Sequence, residues 1–362
     1  MENTKNTSGN EQPKGTKNNP KIDLSDIFED AEKCSHKTDE SSSCKGLLLV
    51  MPASKWINNA KSRPIPRMLF NEFWYEGELC ILFADTNLGK SILAVQIGNS
   101  ICIQLPIKGF KLAAARQKVL YFDFELSDKQ FEYRYSQEYA NHYAFDDNFL
   151  RVEINPDATI PEKQDFEQYL YHSIDRAIVE TGARVLIIDN LTYLKNETER
   201  AKDALPLMKH LKSLKSKYGL SILALAHTPK RDMTKPLTRN DLQGSKMLIN
   251  FCDSAFAIGE SSNDKNLRYL KQIKQRNTQL IYDADNVCIC TIDKPDNFLQ
   301  FEFVGLGTER QHLKELTENE KSGMETNILE MHRQGKSYRE IAAELSTSHM
   351  TVKRVIDKCQ KP

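Results

Sequence analysis

Residues 79–91 read Leu-Cys-Ile-Leu-Phe-Ala-Asp-Thr-Asn-Leu-Gly-Lys-Ser, and this stretch decides the fold. Its first five residues are a short apolar run that breaks abruptly into Asp-Thr-Asn, the pattern of a buried strand. Gly89, Lys90 and Ser91 follow, and Ile92 to about Leu105 continues with helical periodicity. Strand, tight loop, Gly-Lys-Ser and helix form the layout of a phosphate-binding loop. Its backbone N–H groups and a helix N-terminus cradle phosphates, the Lys reaches the terminal phosphates and the Ser ligates Mg²⁺. The loop then comprises Ala84, Asp85, Thr86, Asn87, Leu88, Gly89, Lys90 and Ser91. Ala84 stands where the motif has Gly, which only a positive φ would require, and Asp85 must turn its carboxylate away from the phosphates.

Downstream, apolar runs keep ending in polar residues. Lys118–Glu125 (KVLYFDFE) is a strand closing on a carboxylate, after which Ser127 caps a helix to about Tyr139. Phe149–Ile154 is a further strand, and a helix spans about Glu162 to Thr181. Arg184–Asp189 (RVLIID) is a second acidic-ended strand, followed by a basic helix from about Leu205 to Tyr218 with Pro206 in its first turn. Leu220–Ala226 is a strand ending at His227. Strands alternating with helices predict an α/β fold with a mostly parallel sheet covered on both faces. Ser254–Gly259, Leu267–Ile273, Gln279–Tyr282, Val287–Ile292 and Phe298–Val304 read as strands without helices between them, hence antiparallel extensions at the sheet edge.

Ligands of open α/β sheets bind outside the carboxyl ends of the strands, where the loop, Glu125, Asp189 and His227 all fall. Asp189 suits a Mg²⁺ carboxylate, against the alternative of a helix cap. Glu125 suits activation of an attacking water, with Asp123 as a weaker rival and a cap for the Ser127 helix as the bland alternative. His227 suits a contact to the γ-phosphate. The segment after it carries Lys230, Arg231, Lys235, Arg239 and Lys246 against Asp232 and Asp241, with few core candidates before Leu242. It reads equally as a solvated loop or as a DNA-contacting one. Lys274 and Arg276 close the strand that begins at Leu267.

Together these residues resemble the RecA-like ATPase core, closest to the hexameric replicative helicases of the RepA type. The resemblance covers about Met51 to Val304 and rests on A-x4-GKS, YFDFE, LIIDN, LALAH, LQGSKMLINFCDSAFAI and KQR. It implies an ATP-hydrolysing core in which Glu125 activates water, Ser91 and Asp189 serve Mg²⁺, and His227 senses the γ-phosphate. It also implies that Lys274 and Arg276 act in trans across a ring, and that Gln243, Gly244 and Ser245 lie beside loops lining a DNA channel. The departure at Ala84 bears on the rate of turnover more than on nucleotide binding.

The rest of the chain is less specific. Residues 1–46 are polar and poor in large apolar side chains, so they are expected to be a disordered tail, with Ile22–Glu32 as a candidate docking helix. Leu47 to Gly77, rich in aromatics, is expected to wrap the core edge before the first strand, opening an ATPase domain over 47–306. Residues 307–323 read as a charged linker, and 324–362 as three helices: Met324–Gln334, one opened by the capping box Ser337–Glu340, and one from about Ser348. The last pair looks like a helix-turn-helix with His349, Thr351, Lys353 and Arg354 facing the major groove; a small protein-docking bundle is the alternative. Lys plus Arg number 50, as do Asp plus Glu, so no global basic field exists and DNA contact must come from local patches. No apolar run approaches membrane-spanning length and the N-terminus lacks a signal core, so a cytoplasmic location is expected. The eight cysteines lack metal-ligand spacing. The overall expectation is a Mg²⁺-dependent ATPase forming a homo-oligomer, a hexamer, with single-stranded DNA in its channel and duplex at its C-terminal helices. An ATP-switched DNA-binding regulator or initiator and a recombinase-like filament former are the rival readings.

Overall fold

The structure, a computed structural model, describes residues 48–162, 164–191, 193, 204–229, 231–242, 246–315, 318–345 and 347–360. The tail at 1–46, the candidate docking helix within it, Lys230, Gln243 to Ser245 and the side chain of Lys246 lie outside the described residues. Helix α1 (Ala53–Lys61) belongs to a compact unit of its own and buries none of its residues. The second unit begins at Ile65.

That unit is α/β and built on a nine-stranded sheet. After the short pair β1 (Met68–Phe70) and β2 (Trp74–Tyr75) come β3 (Leu79–Ala84), helix α2 (Lys90–Ile103) and β4 (Val119–Asp123). Helix α3 (Asp128–Arg134), the small hairpin β5 (Ser136–Gln137) and β6 (Asn141–His142), and β7 (Phe149–Val152) follow. Then come α4 (Phe166–Thr181), β8 (Val185–Asp189), α5 (Ala204–Tyr218), β9 (Ser221–His227), α6 (Lys246–Phe251) and β10 (Ser254–Glu260). The antiparallel strands β11 (Leu267–Lys274), β12 (Val287–Asp293) and β13 (Gln300–Gly307) complete the sheet. Its order is β13-β12-β11-β10-β3-β9-β8-β4-β7, with β10, β3, β9, β8, β4 and β7 parallel.

Alternation along β3 separates two cores. Leu79, Ile81 and Phe83 face α4, α5 and α6, whereas Cys80, Leu82 and Ala84 face α2 and the Phe70, Phe73 and Trp74 cluster. Helix α2 is buried nearly all round because it is covered by the sheet beneath and by β13 alongside; Gln96 exchanges two hydrogen bonds with the backbone of Phe301, at 3.0 and 2.9 Å. Gly98 lets the helix approach the sheet: a Cβ there would lie 2.7 Å from Phe149 and 3.0 Å from Ile187.

Four expectations change. The Ser127-capped helix ends at Arg134 rather than Tyr139, because Glu138 and Tyr139 take left-handed φ values of 51° and 62° in the turn between β5 and β6. Gln279–Tyr282 is not a strand: the Gln272 side chain accepts from the N–H groups of Ile281 and Tyr282, at 2.7 and 2.8 Å, in place of a ladder. The segment after His227 has a core anchor that the sequence reading passed over, since Leu237 is buried. Finally, 307–323 is not a linker throughout. Glu309 in it is 1% exposed, pairs with Lys271 at 2.5 Å and accepts from the Leu237 N–H at 2.6 Å, while Lys271 donates to the Leu237 carbonyl at 2.8 Å. A buried charge must be paired, so this pair ties the loop after β9 to β11.

At the C-terminus, α7 (Glu318–Arg333), α8 (Tyr338–Glu344) and α9 (His349–Gln360) close on a small core of Ile328, Ile341, Ala342, Val352, Val355 and Ile356. Ser337 and Glu340 form the reciprocal cap of α8.

Candidate nucleotide site

At the end of β3 the chain turns into the loop with Asn87 at φ 64° and Gly89 at φ 92°. Gly89 is required twice over, because a Cβ on it would also meet Ile292 at 2.6 Å and Phe301 at 2.9 Å. Ala84 ends the strand with an ordinary φ, so no glycine is needed there. Asp85 spends its carboxylate on the Thr86 N–H, at 2.7 Å. Gly89 leaves α2 without a side-chain cap, and the N–H groups of its first turn are free of one.

Lys90 is 6% exposed and donates to the carbonyls of Ala84 (3.1 Å) and Asp85 (3.0 Å) and to His227 Nδ1 (3.2 Å). Burial holds its pKa below the usual lysine value, and the charges of Asp189, Glu125 and Asp85 oppose that shift. His227 arrives beside it because β9 runs parallel to β3, pairing His227 with Ala84. The other ring nitrogen, Nε2, lies 3.0 Å from Asn190 Nδ2 and 3.4 Å from Glu125 Oε1. The hydrogen bond with His227 holds the Glu125 carboxyl below the usual range despite partial burial, so it is ionised at neutral pH. Asn190 Nδ2 also donates to Glu125 Oε1.

Asp189 is fully buried at the end of β8, level with Asp123 of β4. Tyr121 donates to its Oδ2 at 2.8 Å, while Oδ1 is buried without a hydrogen-bond partner. Burial pushes the carboxyl up to about 6, with the Glu125 and Asp123 charges adding and the Ser91 and Tyr121 hydroxyls drawing it back. A buried, orphaned carboxylate oxygen across from a hydroxyl is a costly arrangement without a cation, and the donor set is all oxygen. Ser91 and Asp189 therefore fit Mg²⁺. Asp123 is not free to compete with Glu125. Its Oδ2 takes the Arg151 Nε at 2.9 Å and its Oδ1 the N–H groups of Glu125 and Leu126, at 3.2 and 3.0 Å.

Other sequence candidates lie elsewhere. Lys274 donates to the carbonyls of Ile249 (2.5 Å) and Cys252 (2.7 Å), and burial lowers its pKa. Arg276 bonds Asp253 at 3.1 Å and the Asn250 carbonyl at 3.2 Å, and Asp253 in turn brackets Leu79 at the start of β3. The site is at the other end of that strand, five residues and about 17 Å away at 3.4 Å per residue. Arg231 donates to the Lys235 carbonyl at 2.8 Å, Lys235 pairs with Asp232 at 3.2 Å, and Arg239 opens an exposed 3-10 turn, Arg239–Asp241. On α9, His349, Lys353 and Arg354 are exposed, whereas Thr351 is half-buried and its hydroxyl is within 2.8 Å of that of Ser348. A groove of about 700 Å³ along this helix is lined by Met350, Thr351, Lys353, Arg354, Asp357 and Lys358.

Sequence reading missed Asn190, Tyr121 and Arg151. Asn190 was adjacent to a candidate carboxylate, which is a usable signal; the other two act through pairing between strands and left none.

A RecA-like sheet with a phosphate loop, a basic residue buried over it and carboxylates at the next strand ends defines a P-loop ATPase. The family model described as an AAA domain matches residues 49–233, just over half of the 362-residue chain, and the chain belongs to that family. No curated protein matches it. Among the described residues no helix is long and apolar enough to cross a membrane.

Proposed function

We propose that this ATPase is a ring-forming DNA motor of the replicative-helicase type, acting in the cytoplasm with Mg²⁺-ATP as its fuel. The observation that carries the reading is the separation of Arg276 and Lys274 from their own site, at the opposite end of β3 from Lys90. Cations placed there serve a phosphate only on another copy of the chain, which is the arrangement of a ring or filament.

Within one site the geometry supports the following division of labour. Lys90 brings a positive charge into a water-poor pocket, where it counts for more than at the surface. Glu125, kept ionised by His227, accepts a proton from the attacking water. Ser91 and Asp189 would hold Mg²⁺, whose chemistry there would be charge neutralisation of the bound nucleotide. His227 touches both Lys90 and Glu125 and leads directly into the segment bearing Arg231, Lys235 and Arg239, so occupancy of the site is passed toward the DNA-contacting loop. The exposed basic face of α9 supplies duplex docking.

The test is subunit mixing. Arg276→Ala and Lys90→Ala chains should each lack ATP turnover alone, and a mixture should regain it, because a composite interface pairs an intact loop with an intact finger. Full turnover by Arg276→Ala alone, or no recovery in the mixture, contradicts the proposal.

A further inference from the structure

We propose that Arg151 is a positioning residue for hydrolysis: it clamps the turn that carries Glu125 and so sets where that carboxylate sits. This rests on the reading of Glu125 as the water-activating group. Arg151 lies on β7, in register with Tyr121 of β4, and its side chain is 18% exposed. Its guanidinium reaches residues on both sides of Glu125 without touching Glu125 itself. Nε donates to Asp123 Oδ2 at 2.9 Å, Nη2 to the Leu126 carbonyl at 2.8 Å and Nη1 to Asp128 Oδ1 at 2.7 Å. Glu153 adds a further carboxylate, and the Phe131 ring lies 4.6 Å beneath the guanidinium carbon.

Asp123 transmits the clamp. With Oδ2 fixed by Arg151, its Oδ1 accepts the N–H groups of Glu125 and Leu126, at 3.2 and 3.0 Å, which fixes the backbone from which the Glu125 side chain projects. Asn190 and His227 then hold the carboxylate from the opposite side. The span from Asp123 to Asp128 is thereby tied at three points to one planar group, a task the guanidinium fork performs and a single ammonium does not.

The experiment is a double-mutant cycle in the full-length chain, reading single-turnover hydrolysis and the affinity for a fluorescent ATP analogue. Arg151→Lys keeps a charge beside Asp123 but loses the fork. Hydrolysis should fall about 10- to 100-fold, the cost of misplacing a reacting group, with affinity changed less than about two-fold. In a Glu125→Gln background the same substitution should have no further effect on rate, because the residue acts only through Glu125. An equal loss in both backgrounds, or a loss of affinity in place of rate, overturns the proposal and leaves the Glu125 reading standing. If Glu125→Gln alone hydrolyses at the wild-type rate, the Glu125 reading itself fails. Should Arg151→Lys not fold, Asp128→Ala removes one leg at a side chain that is 83% exposed. A rate loss of about two- to five-fold that vanishes without Glu125 supports the clamp, and an unchanged rate overturns it.

Discussion

Replacing Asp189 with Asn should stabilise the nucleotide-free protein while disabling it. The buried carboxyl titrates at about 6 against an ordinary value of 3.8, with burial as the main cause. At about 1.4 kcal/mol per tenfold change in proton affinity, that difference is a penalty of ~3 kcal/mol once the group is ionised. Its sign follows from linkage. The unfolded chain gives up this proton near 3.8 and the folded chain near 6, so stability is lost as pH rises between those values and the penalty is complete above 6. The amide still accepts the Tyr121 hydroxyl, which now donates at 2.8 Å. Lys90, however, loses one of the carboxylates opposing its burial, which takes back part of the gain. Asp189→Asn should therefore exceed the wild type by about 1–3 kcal/mol in urea denaturation at pH 8 and by little near pH 4. Adding Mg²⁺ with a non-hydrolysable ATP analogue should reverse the order, because only the wild type binds the pair tightly. A variant less stable than the wild type at pH 8, or a gain equal at both pH values, would refute the argument.

Glu309→Ala should cost about 3–5 kcal/mol in the same denaturation assay, since it leaves Lys271 charged and buried and the Leu237 N–H without its acceptor. Gly98→Ala should destabilise by about 1–3 kcal/mol through overpacking against Phe149 and Ile187, which a thermal melt reads directly. Replacing Lys353 and Arg354 together with Ala should weaken duplex binding and reduce the slope of log affinity against log salt by about 2, with ATP turnover on single-stranded DNA unchanged.

How much of this was legible depended on whether the signal was local. The buried strand, loop and helix around Lys90 announce themselves through an apolar run broken by Gly-Lys-Ser, and the parallel core through strands alternating with helices. Asp189 and His227 could be proposed because they end such runs. That Lys90, Glu125 and His227 form one bonded chain needed the order β3-β9-β8-β4, which brings distant strand ends side by side. Arg151 left no trace, because its partners come from another strand and the turn beyond it. Glu309 misled for a related reason: in sequence it is one charge among many after β13, and only Lys271 and Leu237 make it a core residue. The Gln279–Tyr282 stretch has strand composition, yet the Gln272 amide satisfies its backbone.

The most direct test of the motor is strand displacement on a forked duplex with Mg²⁺-ATP, comparing the wild type with Lys90→Ala. The account predicts ATP-dependent displacement by the wild type and none by the variant. Nucleotide-dependent DNA binding by the wild type, with the duplex left intact, would contradict it and mark the protein as an ATP-switched DNA binder.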